Sequence, residues 1–295
     1  VSYHNAVLMV FVYGLYTVFF LTAISMVTTR ASLIAAELLV FLAGYAITFV
    51  GLLAATGQMS IKDSIWLSSG TYRLTSIFQY SNTYAGFLLA YFLSAIFAIV
   101  NAKRTLTACL HALMLVPIWL SFMLTYSRGA LVLVPVLVLV ILLFLRADKQ
   151  LAYLCVLAGS VGVTFVILNG YTENYIGIAR RVMPKSDNEL PYILPVRDPA
   201  VVKAWLMLAA ASFAVALIVW AIRAAQPWLE RRLAGWNERA WSSFLLPAMV
   251  VAAGAAASVL LFGTGIASRI LPESIAERIA NINFRQHSVL ERLTF

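Results

Sequence analysis

Of 295 residues, 62% are hydrophobic and only 11% charged, with mean hydropathy +0.91, whereas a soluble globular chain carries about 25% charged residues; a water-soluble fold could not hide so much apolar surface. The formal net charge of +9 comes without a basic stripe interleaved with aromatics in a polar domain, which excludes a nucleic-acid partner. It points instead to membrane lipid or a phosphorylated lipid.

Apolar runs of roughly 20 residues, the length a helix needs to cross about 30 Å of hydrocarbon, recur along the chain. They predict eight spans, near 7–27, 31–56, 84–101, 106–126, 129–145, 151–169, 200–222 and 244–263. The expected fold is all-α, a polytopic transmembrane helical bundle over residues 1–263. Val7 to Val27 is longer than the apolar core of a typical signal peptide and lacks a basic start and a small-residue cleavage site after it.

Between spans, the connectors 28–30, 102–105, 146–150 and 223–243 are short and rich in Arg and Lys, among them Arg30, Lys103, Arg104, Arg146 and Arg231. The positive-inside rule makes that side cytoplasmic. Segments 57–83 and 170–199 and the tail then face outward. Pro184, Pro191, Pro195 and Pro199 favour an irregular loop over 170–199. Two S-x-x-E capping boxes, at Ser274–Glu277 and Ser288–Glu291, predict short amphipathic helices in residues 264–295. That tail is expected to open a large extracytoplasmic loop truncated at Phe295, so the sequence reads as a fragment, inactive alone.

Within the spans, Gly159, Gly162 and the small residues Ala252 to Ser258 suit close helix packing. Glu37, near a span end and seven residues from Arg30, reads as a local ion pair, and His111 as a hydrogen-bonded interior residue. Cys109 and Cys155 lie in apolar runs far from other ligand-type residues and support neither a disulfide nor a metal site. Trp66, Trp119, Trp205 and Trp241 fall near span ends, as an aromatic belt requires.

Two stretches stand apart. Arg73-Leu-Thr-Ser-Ile-Phe-Gln-Tyr-Ser-Asn82-Thr-Tyr-Ala-Gly86 is an outward loop leading into a span, and Thr125-Tyr-Ser-Arg128-Gly129-Ala130 is a tight outward turn. Arg128 has almost no loop to occupy, so its guanidinium belongs at the outer membrane boundary, where charge is costly without a partner. A lone arginine there reads as a snorkelling anchor. Arg73, Arg128 and Arg292, however, all fall at outer segment ends beside Thr75, Asn82, Ser127 or Ser288. A guanidinium fork matches phosphate oxygens bidentately, and more strongly at low dielectric.

The motifs R-L-T-S-I-F-Q-Y-S-N-T-Y-A-G-F and L-T-Y-S-R-G-A, in that order and followed by a long outward loop, resemble the O-antigen ligase and O-antigen polymerase family of membrane glycosyltransferases. The tail N-F-R-Q-H-S-V-L-E-R-L-T-F is similar to the opening of that family's large loop. The resemblance implies glycan transfer at the outer face of a bacterial cytoplasmic membrane, from an undecaprenyl diphosphate carrier to a glycan or lipid acceptor. It implies inversion at the anomeric carbon and neither metal nor cofactor. By that similarity Arg73, Arg128 and Arg292 are the catalytic candidates holding the diphosphate, with Asn82, Ser127 and Thr75 as substrate-binding groups. The family's late-loop histidine and the spans after it have no counterpart before Phe295, and His287 reads as an exposed loop residue. The alternative function is a transporter or flippase for an anionic lipid or glycolipid, whose inverted repeats are not evident; a third is a noncatalytic scaffold.

Overall fold

The computed structural model describes residues 3–68, 70–184, 189–237 and 244–252. In chain order its elements are α1 (Tyr3–Met26), α2 (Arg30–Ala55), β1 (Ile65–Ser68), β2 (Thr71–Leu74), α3 (Ser81–Asn101), α4 (Thr105–Leu124), α5 (Arg128–Leu143), α6 (Ala147–Val182) and α7 (Pro199–Asn237). A single 3-10 turn, Ser76–Phe78, precedes α3, and residues 244–252 are helical.

The chain divides into two compact units, residues 1–46 and 47–295. In the first, α1 is apolar all round, and Phe11, Leu15, Phe19 and Phe20 are exposed. A helix of that kind is stable only where its surroundings are apolar too. At the start of α2 the Ser32 amide donates to Thr29 Oγ1 at 3.1 Å while the Thr29 amide donates to Ser32 Oγ at 3.0 Å. That reciprocal pair caps the helix in the manner of a capping box.

In the second unit α4 is central, packing against α3, α6 and α7. Every residue from Leu115 to Leu124 is buried, and Trp119 stacks between Phe92 and Phe122 at 4.7 and 4.9 Å. Along α7 the buried positions Val201, Ala204, Leu208, Ala211 and Val215 advance by alternating three and four residues, the repeat that keeps one seam facing a neighbour. Lipid tails are as apolar as leucine, so such a seam is held by close packing and not by expulsion of water. Gly159 of α6 shows this, because a Cβ there would stand 3.0 Å from Ile218 Cγ2 of α7. Gly162 opens onto empty space and makes no such approach.

Among the described residues, five helices, α2, α3, α4, α6 and α7, are long and apolar enough to cross a membrane, and Val10–Met26 and Arg128–Leu143 are shorter apolar helices. The chain is a helical membrane protein. At 16 residues α5 is only about 24 Å long at 1.5 Å per residue, short of the hydrocarbon thickness, although its sequence is as apolar as any span. Only 244–252 of the expected last span, and none of the tail 264–295, fall among the described residues.

Two boundaries differ from expectation. Helix α6 continues through 170–182, and α7 through 223–237, where loops are anticipated from polar composition. In α6, Tyr171, Tyr175, Ile178 and Val182 are buried at helical spacing, so the polar residues Glu173, Asn174, Arg180 and Arg181 occupy the other face of an uninterrupted helix. Pro184, the first proline of the stretch, lies beyond its end.

The ends of the bundle are identified by contacts between its loops. At one, Leu194 N donates to Gly57 O at 2.7 Å and Arg73 Nε to Thr125 O at 2.9 Å, joining the hairpin, the α4–α5 turn and the chain after α6. At the other, Lys149 Nζ donates to Asn101 Oδ1 and Arg223 Nη2 to Ala102 O, both at 2.6 Å. The basic connectors around Lys103, Arg104 and Arg146 belong to this second end.

Candidate functional site

The site lies at the first end and starts with a hairpin. Strands β1 and β2 pair antiparallel with Ser68 opposite Thr71, and the turn uses Gly70 at φ +77°, a conformation that costs glycine nothing. Arg73 stands on β2 directly opposite Trp66, so the two side chains leave the same face of the hairpin. The hairpin is anchored below by Thr75 and Ser76, whose amides both donate to Ser64 O at 2.9 and 3.1 Å.

From this base Arg73 reaches across to the α4–α5 turn. Its Nε donates to the Thr125 carbonyl at 2.9 Å and its Nη2 to Asn82 Oδ1 at 3.3 Å. The same Asn82 oxygen accepts the Ser127 hydroxyl at 2.9 Å, and Asn82 Nδ2 donates to Tyr80 Oη at 3.1 Å. Three of the residues selected from sequence, Arg73, Asn82 and Ser127, are therefore one hydrogen-bonded group. The Thr125 carbonyl and Asn82 Oδ1 are neutral acceptors that fix the plane of the guanidinium.

Helix termini add to the positive potential. Asn82 is the second residue of α3, and Ser127 is the N-cap of α5, its Oγ accepting from Ala130 N at 3.4 Å. Two helix N-termini thus meet at the cluster, each bearing roughly half a positive charge. Arg128 follows Ser127 as the first residue of α5 and is half-buried. A cation at that position works against the helix dipole by about 0.3–1 kcal/mol; helix stability does not explain it, and an anion at the same place would reverse the sign.

The backbone here is strained. Asp63, Ser76, Gln79 and Tyr126 all have positive φ, from 50° to 55°, a region that costs side-chain-bearing residues about 1–3 kcal/mol each. Asp63 lies in the hairpin approach, Ser76 and Gln79 in the 3-10 turn that follows the hairpin, and Tyr126 in the α4–α5 turn. Tyr126 is both bulky and buried, and its conformation turns the chain sharply between Thr125 and Ser127, the two residues that receive and complete the Arg73 network.

Thr75 is placed differently from Asn82 and Ser127. It is buried, and its hydroxyl donates to the Asp63 carbonyl, so it ties the hairpin to its own approach and does not join the cluster. Arg292 lies outside the described residues. One polar group was not singled out from sequence: the hydroxyls of Ser76, Tyr84 and Ser121 gather in the core beneath the hairpin, against Gly51 of α2. Nothing in an apolar run with isolated serines and a tyrosine marks them as neighbours.

On the same end of the bundle, Arg181 grips Asp198 through two bonds of 2.8 and 3.1 Å, and Asp198 Oδ1 also accepts from Ala200 N at 2.9 Å, capping the start of α7. Hydrogen bonding to Arg181, then to the Ala200 amide, holds the Asp198 carboxyl below the ordinary aspartate range. Cys109 and Cys155 are free thiols. Among the described residues no three His, Cys, Asp or Glu side chains gather at metal-ligand spacing.

Compared with protein-family models, curated proteins and solved structures, the chain matches none.

Proposed function

We propose that this membrane protein transfers or polymerises a glycan carried on undecaprenyl diphosphate at the outer face of the cytoplasmic membrane, as its resemblance to O-antigen ligases and polymerases implies. The observation that supports the reading most is the Arg73–Asn82–Ser127 group, with Arg128 adjoining it, at the meeting of two helix N-termini. When a glycosidic bond to a diphosphate breaks, negative charge grows on the departing phosphate. Cations and amide dipoles already fixed in place stabilise that change more than they stabilise bound substrate, which is what raises a rate. Arg73 and Arg128 would hold the diphosphate, and Asn82 and Ser127 would position Arg73.

Membranes from cells producing the protein, assayed for glycan chain formation from the lipid-linked donor, test the reading. At equal expression, Arg73→Ala and Arg128→Ala are each expected to lower the rate at least a hundredfold, in line with the roughly 10²–10³ lost when one such stabilising donor is removed. Arg73→Lys keeps the charge but loses the planar fork and is expected to recover only part of the activity. Wild-type rates in both alanine variants would overturn the reading.

A further inference from the structure

A cavity of about 230 Å³ opens between the hairpin with its approach and the chain after α6. Lys62, Asp63 and Trp66 form one wall, and Met183, Glu189 and Pro191 contribute to the other. Trp66 connects the cavity to the site already described, since it stands opposite Arg73 in the hairpin register.

The walls are tied together before anything binds. Ser60 Oγ donates to the Pro191 carbonyl at 2.6 Å, Leu194 N to Gly57 O at 2.7 Å, and Tyr192 N to Val182 O at 2.8 Å. Thr75 holds the carbonyl of Asp63, whose φ of +55° fixes the turn that carries it. Glu189 Oε2 accepts from Tyr192 Oη at 3.3 Å. A cavity built in this way orders its ligand without first having to order itself.

Its lining narrows the ligand class. An acyl chain asks for uniformly apolar walls, and a phosphate for an excess of cations. Here the charged lining residues are two acids and one base, Asp63, Glu189 and Lys62, a balance that disfavours the diphosphate. A sugar ring has an apolar C–H face and a rim of hydroxyls. Trp66, 52% exposed, offers a broad apolar surface with a polar edge, while Asp63 and Glu189 accept hydrogen bonds and Lys62 donates them. The volume is below the roughly 300–1,000 Å³ of clefts for drug-sized ligands, so it suits one ring and not an oligosaccharide.

We propose that this cavity is a monosaccharide subsite that receives the terminal sugar of the acceptor. The assignment of acceptor rests on the transferase reading; binding of a sugar does not. Trp66 lies under the ring, Asp63 and Glu189 hold its hydroxyls, and the shared hairpin sets the acceptor beside Arg73. Thr75 is a positioning residue that acts through Asp63.

The test is saturation-transfer NMR on the protein in sugar-free lipid nanodiscs, with the methyl α-glycosides of glucose, galactose, mannose and N-acetylglucosamine as probes. At least one is expected to receive saturation, reversibly and in the millimolar range. Trp66→Ala abolishes the signal and Trp66→Phe keeps most of it. Asp63→Asn, which retains a residue tolerant of the left-handed conformation, and Glu189→Gln each weaken binding at least fivefold, whereas Arg73→Ala leaves it unchanged. Silence from all four probes, or a signal that survives Trp66→Ala, overturns the subsite. If the sugar binds as described but Arg73→Ala membranes still build glycan at the normal rate, the subsite stands and the transferase reading falls.

Discussion

Asn82 Oδ1 accepts the Ser127 hydroxyl at 2.9 Å while also accepting Arg73 Nη2 at 3.3 Å, so one amide oxygen joins the hairpin, the start of α3 and the cap of α5. Replacing it with a carboxylate separates structure from function. Asn82→Asp keeps an acceptor at the same place and strengthens the bond to Arg73, so the thermal midpoint is expected to hold or rise. Its negative charge opposes a bound diphosphate, and glycan formation is expected to fall at least a hundredfold. A stable variant with normal activity would show that the cluster is only a brace.

Gly51 marks the tightest approach beneath the site. A Cβ there would lie 2.2 Å from Tyr84 Oη and 3.0 Å from Ser76 Oγ, and Tyr84 is fully buried among Phe78 and Phe87, which leaves it little room to withdraw. Gly51→Ala is therefore expected to destabilise the protein by about 1–3 kcal/mol, the usual cost of overpacking. Thermal unfolding in detergent measures it, and an unchanged midpoint would mean that Tyr84 moves freely.

Gln79 offers the opposite case. It ends the 3-10 turn in the left-handed conformation at φ 55°, is exposed, and its side chain makes a long 3.5 Å contact from Nε2 to Lys62 O. Glycine adopts this conformation without the Cβ clash. Gln79→Gly is expected to raise stability by up to about 1 kcal/mol, seen as a higher melting temperature with activity retained. A lower midpoint would show that the Lys62 contact outweighs the strain.

The Arg181–Asp198 pair makes the start of α7 sensitive to acid. The folded carboxyl titrates below its ordinary range because Arg181 and the Ala200 amide bind its charged form. The stabilisation is thus complete above the ordinary aspartate value and is lost as pH falls through the depressed one. Protection of the Ala200 amide, its hydrogen exchange relative to the intrinsic rate at each pH, is expected to fall in that acid window in the wild type. Asp198→Asn should leave that protection low and independent of pH; wild-type protection unchanged by acid would refute the assignment.

Much of the candidate site is legible in the two motifs. Arg73, Asn82, Ser127 and Arg128 are conspicuous because cationic and amide side chains sit at the ends of apolar runs, where each carries a desolvation cost that needs a reason. Thr75 has the same local setting, yet its hydroxyl turns inward to Asp63, a choice made by the strained backbone around it and invisible in residue type. Loop limits were harder to read for a related reason. Past the membrane a helix needs only one apolar face, so Tyr171, Tyr175, Ile178 and Val182 sustain α6 through residues whose average composition is polar.

The membrane-helical character follows from composition and run length alone, because in hydrocarbon a backbone must satisfy its own N–H and C=O groups within each segment, and a helix does so through neighbours four residues away. Which side chains meet is another matter. Arg73 finds Thr125 across 52 residues, and Ser60 finds Pro191 across 131. Such pairings depend on how α3, α4 and α6 pack and where the chain turns between them, so only the assembled bundle sets the guanidinium beside its amide and closes the cavity lined by Trp66.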